Sequence, residues 1–383
     1  LYGARYLIEH WTDHDAHHFT PDWTHRPLAA VFDEALAAIG DRCRSFDDVL
    51  ERSRGGPRTP LFEEEHPFAR LRIPTLHGVG WFDNITPPHL LDYEALLRDP
   101  ATAPFQYLHA GSTDHENYRL DDVPITPATD HARDDGALAA MLTAYLEPAL
   151  TFFDVFLAGS RDPATLPRVR WHLANVGWQE SPTWPPPGAT ALRLHLASGG
   201  ALAEARAARG EVAWIHDPDD LVPSTLVDPF AALLEYPDER ALDGRDDVVT
   251  FTTAPLTRHL TLAGRVVARL EIGSDAPSVH LHAKLVDVHP DGRAHALLYG
   301  QQVVPAPGAG TVVEVYLGHT GYRLATGHRL RLQVATSDFP VFLPSPGTDE
   351  NPWDATTTRR NRQTLATGGP TPSCVELTVL AVD

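Results

Sequence analysis

The sequence predicts an α/β segment followed by an all-β sandwich, and three observations carry that expectation. Two strand-like runs, one ending near Gly80 and one near His109, each lead into a loop that closes on an ionisable residue, with a helical pattern between them. From residue 165 onward, stretch after stretch alternates polar and apolar residues at period two, as half-buried strands do. Residues 1–60 show neither feature and instead repeat apolar residues at helical spacing. The expected organisation is a helical segment over 1–60, an α/β part over 61–164, and a jelly-roll sandwich over 165–383.

In the first segment, Leu28, Val31, Phe32, Leu36 and Ile39 fall on one helical face, with Pro27 at its start and Gly40 past its end. Ser45 opens a second helix as its expected N-cap, and the Gly-Pro-rich run 54–60 breaks the chain. Before them, His14 and His18 stand at i, i+4, a spacing that could grip a metal. No H-E-x-x-H pattern accompanies them, so no metal is assigned. Trp11 and Trp23 suit a core or a lid.

In the second segment, Leu71-Arg-Ile-Pro-Thr-Leu-His-Gly-Val-Gly80 reads as a strand whose glycines allow close backbone approach, and Asp83 lies just past it. Residues 87–97 form the following helix, Phe105-Gln-Tyr-Leu-His109 the next strand, and His115 sits in its outgoing loop. Asp134 or Asp135 should cap a long helix through Leu157, kinked at Pro148 and ended at Gly159. Open α/β sheets place their chemistry at the carboxyl ends of strands, where both Asp83 and His115 fall. Strand, acid, helix, strand, histidine is the order of the closing half of an α/β-hydrolase, in which a serine precedes both. The chain contains no G-x-S-x-G elbow; Ser112 and Ser160 lack its second glycine and read as loop serines.

In the third segment the alternating stretches are 168–178, 191–196, 279–288, 311–317, 329–335 and 375–380, with Trp184-Pro-Pro-Pro-Gly188 as a rigid connector. The Asp-rich run after His216 (Asp217, Asp219, Asp220) reads as a solvated turn sooner than a cation site.

Whole-chain numbers narrow the function. At 383 residues the chain can bury more than one core. A formal net charge of −20 argues against nucleic acid or an anionic membrane as partner. Cys43 and Cys374 are too few for a Zn(Cys) site and too far apart in sequence for a disulfide framework. No unbroken apolar run approaches ~18 residues and no secretory leader is visible, so no membrane partner and a cytoplasmic location are expected. The chain opens on Leu1 and its only methionine is Met141, from which a removed leader or a larger missing N-terminal piece is expected.

With these motifs in hand, the chain resembles the cocaine-esterase-like, or CocE/NonD, hydrolases, which include X-Pro dipeptidyl-peptidases and α-amino-acid ester hydrolases. The resemblance rests on an ordered set: Gly80-Trp-Phe-Asp83, His115 after Gly111, residues 152–159, Trp178 followed by Trp184-Pro-Pro-Pro, residues 216–224, Thr253-Ala-Pro-Leu256, Ala283 through Arg293, Gly327-His-Arg-Leu-Arg331 and Ser337-Asp-Phe-Pro340. The resemblance implies an α/β-hydrolase with a helical cap, to which residues 1–60 would belong, and a jelly roll over its active site. It implies a serine hydrolase of carboxylic esters or amides, with Asp83 as triad acid, His115 as triad base and no cofactor. It also implies that the nucleophile and an oxyanion tyrosine belong to an N-terminal hydrolase segment outside this chain. Ile85 falls where the family lines its acyl pocket, with Trp81 and Phe82 flanking the acid; a small-molecule ester or amide is the expected partner and a homodimer an open one. Where the family has Trp-Ser-His, this chain has Thr113-Asp-His115, which sets a negative charge beside the base. Three alternatives stay open on the sequence alone: an X-Pro-type peptidase or acylase, a non-catalytic binding or assembly descendant, and a sandwich that binds carbohydrate.

Overall fold

The computed structural model describes residues 21–39, 44–54, 68, 70–370 and 372–381. The pairing of His14 with His18, Trp11, Gly40 and Cys43 all lie outside them.

Helix α1 (Leu28–Ile39) and helix α2 (Arg44–Arg54) form a small core of their own. Leu28, Val31, Phe32 and Leu36 are buried as the spacing predicts, and Phe32, Phe46 and Leu50 gather around Trp353 of a distant loop. Arg54 fastens this unit with a two-pronged contact to the Asp354 carboxylate, Nε at 2.8 Å and Nη2 at 2.6 Å. Helix α2 begins at Arg44, so Ser45 lies inside it instead of capping it.

Strand β1 (Thr75–Gly80), helix α3 (Thr86–Arg98) and strand β2 (Gln106–Gly111) follow in the expected order. The two strands pair in parallel, Thr75 opposite Gln106 through Gly80 opposite Gly111. Helix α4 (Asp135–Phe156) comes next, with Asp134 as its N-cap: the carboxylate accepts from the Ala137 amide at 2.8 Å. Pro148, where a kink was expected, lies inside the helix, and Gly159 turns the chain beyond its end at φ +64°. By length and composition α4 is long and apolar enough to cross a membrane, and only 6% of its apolar window is buried. Reading for unbroken apolar runs missed this because Glu147, Pro148 and Asp154 interrupt a helix whose average is nonetheless apolar.

Strands β3 (Val169–Leu173) and β4 (Gly177–Ser181) complete the first sheet, in the order β1-β2-β3-β4. Their alternation had grouped them with the sandwich, but β3 pairs in parallel with β2 and its Trp171 is buried in the shared core. Period two marks a strand; it does not say which sheet receives it.

The remaining strands build two antiparallel sheets. They are β5 (Ala189–Leu196), β6 (Leu202–Ala203), β7 (Gly210–His216), β8 (Val249–Thr252), β9 (Leu260–Ser274), β10 (Ser278–Val288), β11 (Ala294–Pro305), β12 (Thr311–Leu324), β13 (Arg329–Ala335), β14 (Asn361–Thr367) and β15 (Cys374–Leu380). One sheet runs β11-β10-β13-β8; the other runs β6-β5-β15-β9-β14-β7, with β12 also on β9. Leu262, Val266, Leu281, Leu285, Leu332 and Val375, fully buried, fill the space between them. Cys374 is a free, buried thiol.

The sandwich is welded to the first sheet. Trp184 stacks on Trp81 (centroids 5.1 Å apart) and meets Trp171 edge-on. Its indole N–H donates to Nδ1 of His319 at 3.0 Å, which leaves the ring proton on Nε2, 3.1 Å from Glu94 of α3. These contacts hold the carboxyl end of β1, with β3 and α3, against the sandwich.

Candidate active site

Gly80 is the reason two loops meet. A side-chain carbon there would come within 2.3 Å of the Thr113 carbonyl oxygen, a distance no Cβ tolerates. With glycine in place, the Trp81 amide donates to Gly111 O at 2.8 Å and the Phe82 amide to Thr113 O at 3.0 Å. The loop after β1 is thereby stitched to the loop after β2, with Asp83 directly after Phe82 on one side and His115 two residues past Thr113 on the other.

Asp83 and His115 face one another across this seam. His115 Nδ1 lies 3.2 Å from Oδ1 and 3.3 Å from Oδ2 of Asp83, so the N–H donates to the carboxylate. The Ile85 amide donates to the same Oδ1 at 2.9 Å and fixes the carboxylate's orientation. The Asp83 side chain is 13% exposed and that of His115 is 36% exposed. The acid is therefore sheltered while the imidazole keeps an open side. Phe230, from a sandwich loop, packs on the ring at 4.8 Å.

Asp114 behaves differently from the sequence expectation of a bare charge beside the base. Its carboxylate accepts from the Tyr118 amide and from the Leu233 amide, both at 2.9 Å, and so straps the histidine loop to the sandwich. Burial pushes its carboxyl up to about 7, against the pull of those two amides. Because that lies above the ordinary aspartate value, the folded chain holds the proton more tightly than the unfolded one. This group's contribution to stability is thus complete below about pH 4 and is lost as pH rises through about 7. A carboxyl-carbon NMR titration, assigned with Asp114→Asn, should find this midpoint near neutrality; a midpoint near 4 would contradict the burial of this carboxyl.

A cleft opens on the other side of Asp83, between this loop and the sandwich, with a free volume, mouth included, of about 590 Å³. Trp81 and Phe82 line it together with Leu298 and Tyr236, and its polar end is Lys284 with Glu239 and Asp338. Trp81 is 3% exposed and anchored through its indole N–H to His172 O, so it is principally a packing residue. Ile85 is not in the cleft wall: its side chain is 47% exposed at the N-terminal end of α3. Lys284 Nζ sits 3.2 Å from both Glu239 and Asp338. Burial works against the ammonium, but the two carboxylates outweigh it and hold its pKa above the usual lysine value. Asp338 is shifted upward by the same burial, since one ammonium is shared between two acids. Sequence reasoning passed over this cluster, although the chain's sole lysine was a visible signal.

The two serines weighed as nucleophiles are occupied. Ser160 Oγ donates to the Asp154 carbonyl. Ser112 Oγ lies 2.9 Å from His172 Nδ1, whose Nε2 is 3.5 Å from Asp121, an array with the composition of a triad. Ser112 is 5% exposed, however, so it links the end of β2 to β3 and is closed to a substrate. His77 is likewise structural, held between His89 Nε2 and Gln106 Oε1. The acidic run after His216 is dispersed into ion pairs, Asp217 with Arg360 and Asp220 with Arg245.

Comparison with known proteins bears on this arrangement. Residues 163–376 match the family model described as the X-Pro dipeptidyl-peptidase C-terminal non-catalytic domain. Cocaine esterase of Rhodococcus sp. (strain MB1 Bresler) is 30% identical over 304 residues, covering 71% of this chain and 50% of that protein. The chain belongs to the CocE/NonD hydrolase family. Two solved structures share its fold. An α-amino acid ester hydrolase superimposes with a TM-score of 0.72 at 22% identity, over 94% of this chain and 64% of that one. A CocE/NonD family hydrolase from Staphylococcus aureus does so with a TM-score of 0.58 at 14% identity, over 95% and 64%. The chain thus spans half the length of cocaine esterase. Within the CocE/NonD chain described here, Asp83 and His115 precede the stretch matched as non-catalytic.

Proposed function

We propose that this chain supplies the acid and base of a serine hydrolase acting on carboxylic esters or amides, with the nucleophilic serine on an N-terminal hydrolase segment outside it. The observation that carries the reading is the Asp83–His115 pair: Nδ1 is committed to the carboxylate, while the half-exposed ring leaves Nε2 for a hydroxyl.

In this reading Nε2 takes the serine proton as the hydroxyl attacks the acyl carbon, then returns it to the leaving alkoxide or amine. Asp83 holds the tautomer and stabilises the imidazolium formed in that step. Water repeats the sequence on the acyl-enzyme. Phe230 shields one face of the ring from solvent, which strengthens the ion pair when it forms. Phe82 and Trp81 would border the substrate on the cleft side, and Ile85, facing out, would meet it only once the missing segment closes over it.

Two features support a missing segment. Strand β1 is an edge of its sheet among the described residues, the place where a further parallel strand would add. Helix α4 exposes Tyr145, Leu146, Leu150 and Phe153, and Leu157 just past its end, an apolar face that needs cover. In the same reading the sandwich is a jelly roll and α1 and α2 belong to a cap. The non-catalytic alternative draws on the family description of residues 163–376, but the acid–base pair lies before them.

The test is a hydrolysis assay with p-nitrophenyl esters. This chain alone should show no turnover above background, and joining it to the upstream segment of the complete protein should restore it. Turnover by the chain alone, or none by the complete protein on any ester or amide, would contradict the proposal.

A further inference from the structure

We propose that Asp287, His289 and His328 form a metal site for a divalent transition ion of the zinc class, separate from the acid–base pair. Asp287 lies near the end of β10, His289 opens the turn that follows, and His328 immediately precedes β13. Strands β10 and β13 are antiparallel neighbours, with Asp287 opposite Leu330 and Val288 opposite Arg329, so the topology brings the three side chains to one end of the sheet.

The distances suit shared coordination. One ligand atom from each residue lies within 4.8 Å of the other two. His328 Nδ1 is 2.8 Å from Asp287 Oδ1, and His289 Nε2 is 3.6 Å from Oδ2. Zinc–ligand bonds of ~2.0–2.2 Å set tetrahedral ligands about 3.3–3.6 Å apart, so the observed separations bracket what a metal requires. The His289 contact is longer than a hydrogen bond and lies at the edge of ion-pair range, a separation that an ion between the two would also fit.

The surroundings fit as well. The Tyr322 hydroxyl donates to Asp287 Oδ2 at 2.8 Å, the kind of outer contact that orients a ligating carboxylate. Asp287 is 1% exposed, whereas His289 and His328 are 22% and 16% exposed, so a fourth position faces water. Two imidazoles and one carboxylate are a zinc-type donor set.

Such an ion would pin β10, its turn and β13 together. It would also brace the cleft: His289 meets His295 edge-on, His295 stacks on Tyr236 at 4.4 Å, and Tyr236 packs edge-on against Phe82.

The experiment is titration of the chelator-stripped full chain with Zn²⁺ by calorimetry and with Co²⁺ by visible absorption. The expected result is one Zn²⁺ bound with a Kd of roughly 10 μM or tighter, the visible bands of low-coordinate Co²⁺, and a higher thermal midpoint with metal. His289→Gln and His328→Gln should each weaken binding by at least ~10-fold, and His289→Gln should leave the metal-free midpoint unchanged. The histidines near the N-terminus offer a rival site, which these variants would not touch. Binding that survives both substitutions, or a Kd weaker than roughly 100 μM, would overturn the assignment.

Discussion

Asp83→Asn in the complete protein should lower kcat by about 10⁴-fold, the scale on which losing the triad carboxylate acts elsewhere. An amide at this position would accept from only one of its two donors. It would also present its own N–H to the ring, turning His115 toward the tautomer that cannot accept a serine proton. His115→Ala removes the base altogether and should cost at least ~10³-fold. KM should change little in either case, because neither group binds the ground state of a neutral ester. Thermal stability should be nearly unaffected for His115→Ala, since the ring is more than a third exposed and Phe230 keeps its backbone bonds to Glu116 and Asp228. Steady-state kinetics with a chromogenic ester checks both variants, and wild-type turnover in either would remove Asp83 and His115 from the mechanism.

Lys284→Met should be the most destabilising single substitution at the cleft. The ammonium is 8% exposed and neutralises Glu239 and Asp338, which are 1% and 6% exposed. Removing it leaves two buried carboxylates side by side, with Gln333 and Thr225 still donating to Glu239 and only Ser224 to Asp338. Breaking a buried pair in this way costs about 3–5 kcal/mol. For a cooperative unit the size of the sandwich, that lowers the thermal midpoint by roughly 10 °C. Adding Glu239→Gln and Asp338→Asn should recover much of the loss, because uncharged amides no longer need the cation. Calorimetry of the single and triple variants checks this; an unchanged midpoint for Lys284→Met would mean that the cluster does not act as a charged unit.

Much of this was legible in the residues. Leu28, Phe32 and Leu36 announced their helix by spacing, and their burial is complete to within a few per cent. The order Asp83, helix, strand, His115 announced a strand-end pair, because only a parallel crossover brings residues that far apart to one edge. The Gly80 requirement was half visible: a glycine at a strand end signals close approach, but not that Thr113 is what approaches. Other features depended on contacts that no local pattern encodes. Strands β3 and β4 alternate as sandwich strands do, and only pairing with β2 assigns them to the other sheet. Asp114 looked like a charge beside the base until the Leu233 amide, far along the chain, was seen to claim it. Ile85 lay in the expected position of the sequence yet faces outward.

The central claim is that the imidazole of His115 serves a serine that this chain does not carry. Labelling the complete protein with a fluorophosphonate probe and mapping the adduct by mass spectrometry tests it most directly. The account predicts a single adduct on a serine outside these residues, strongly reduced by His115→Ala, and none on the isolated chain. An adduct on Ser112 or Ser160 would contradict it.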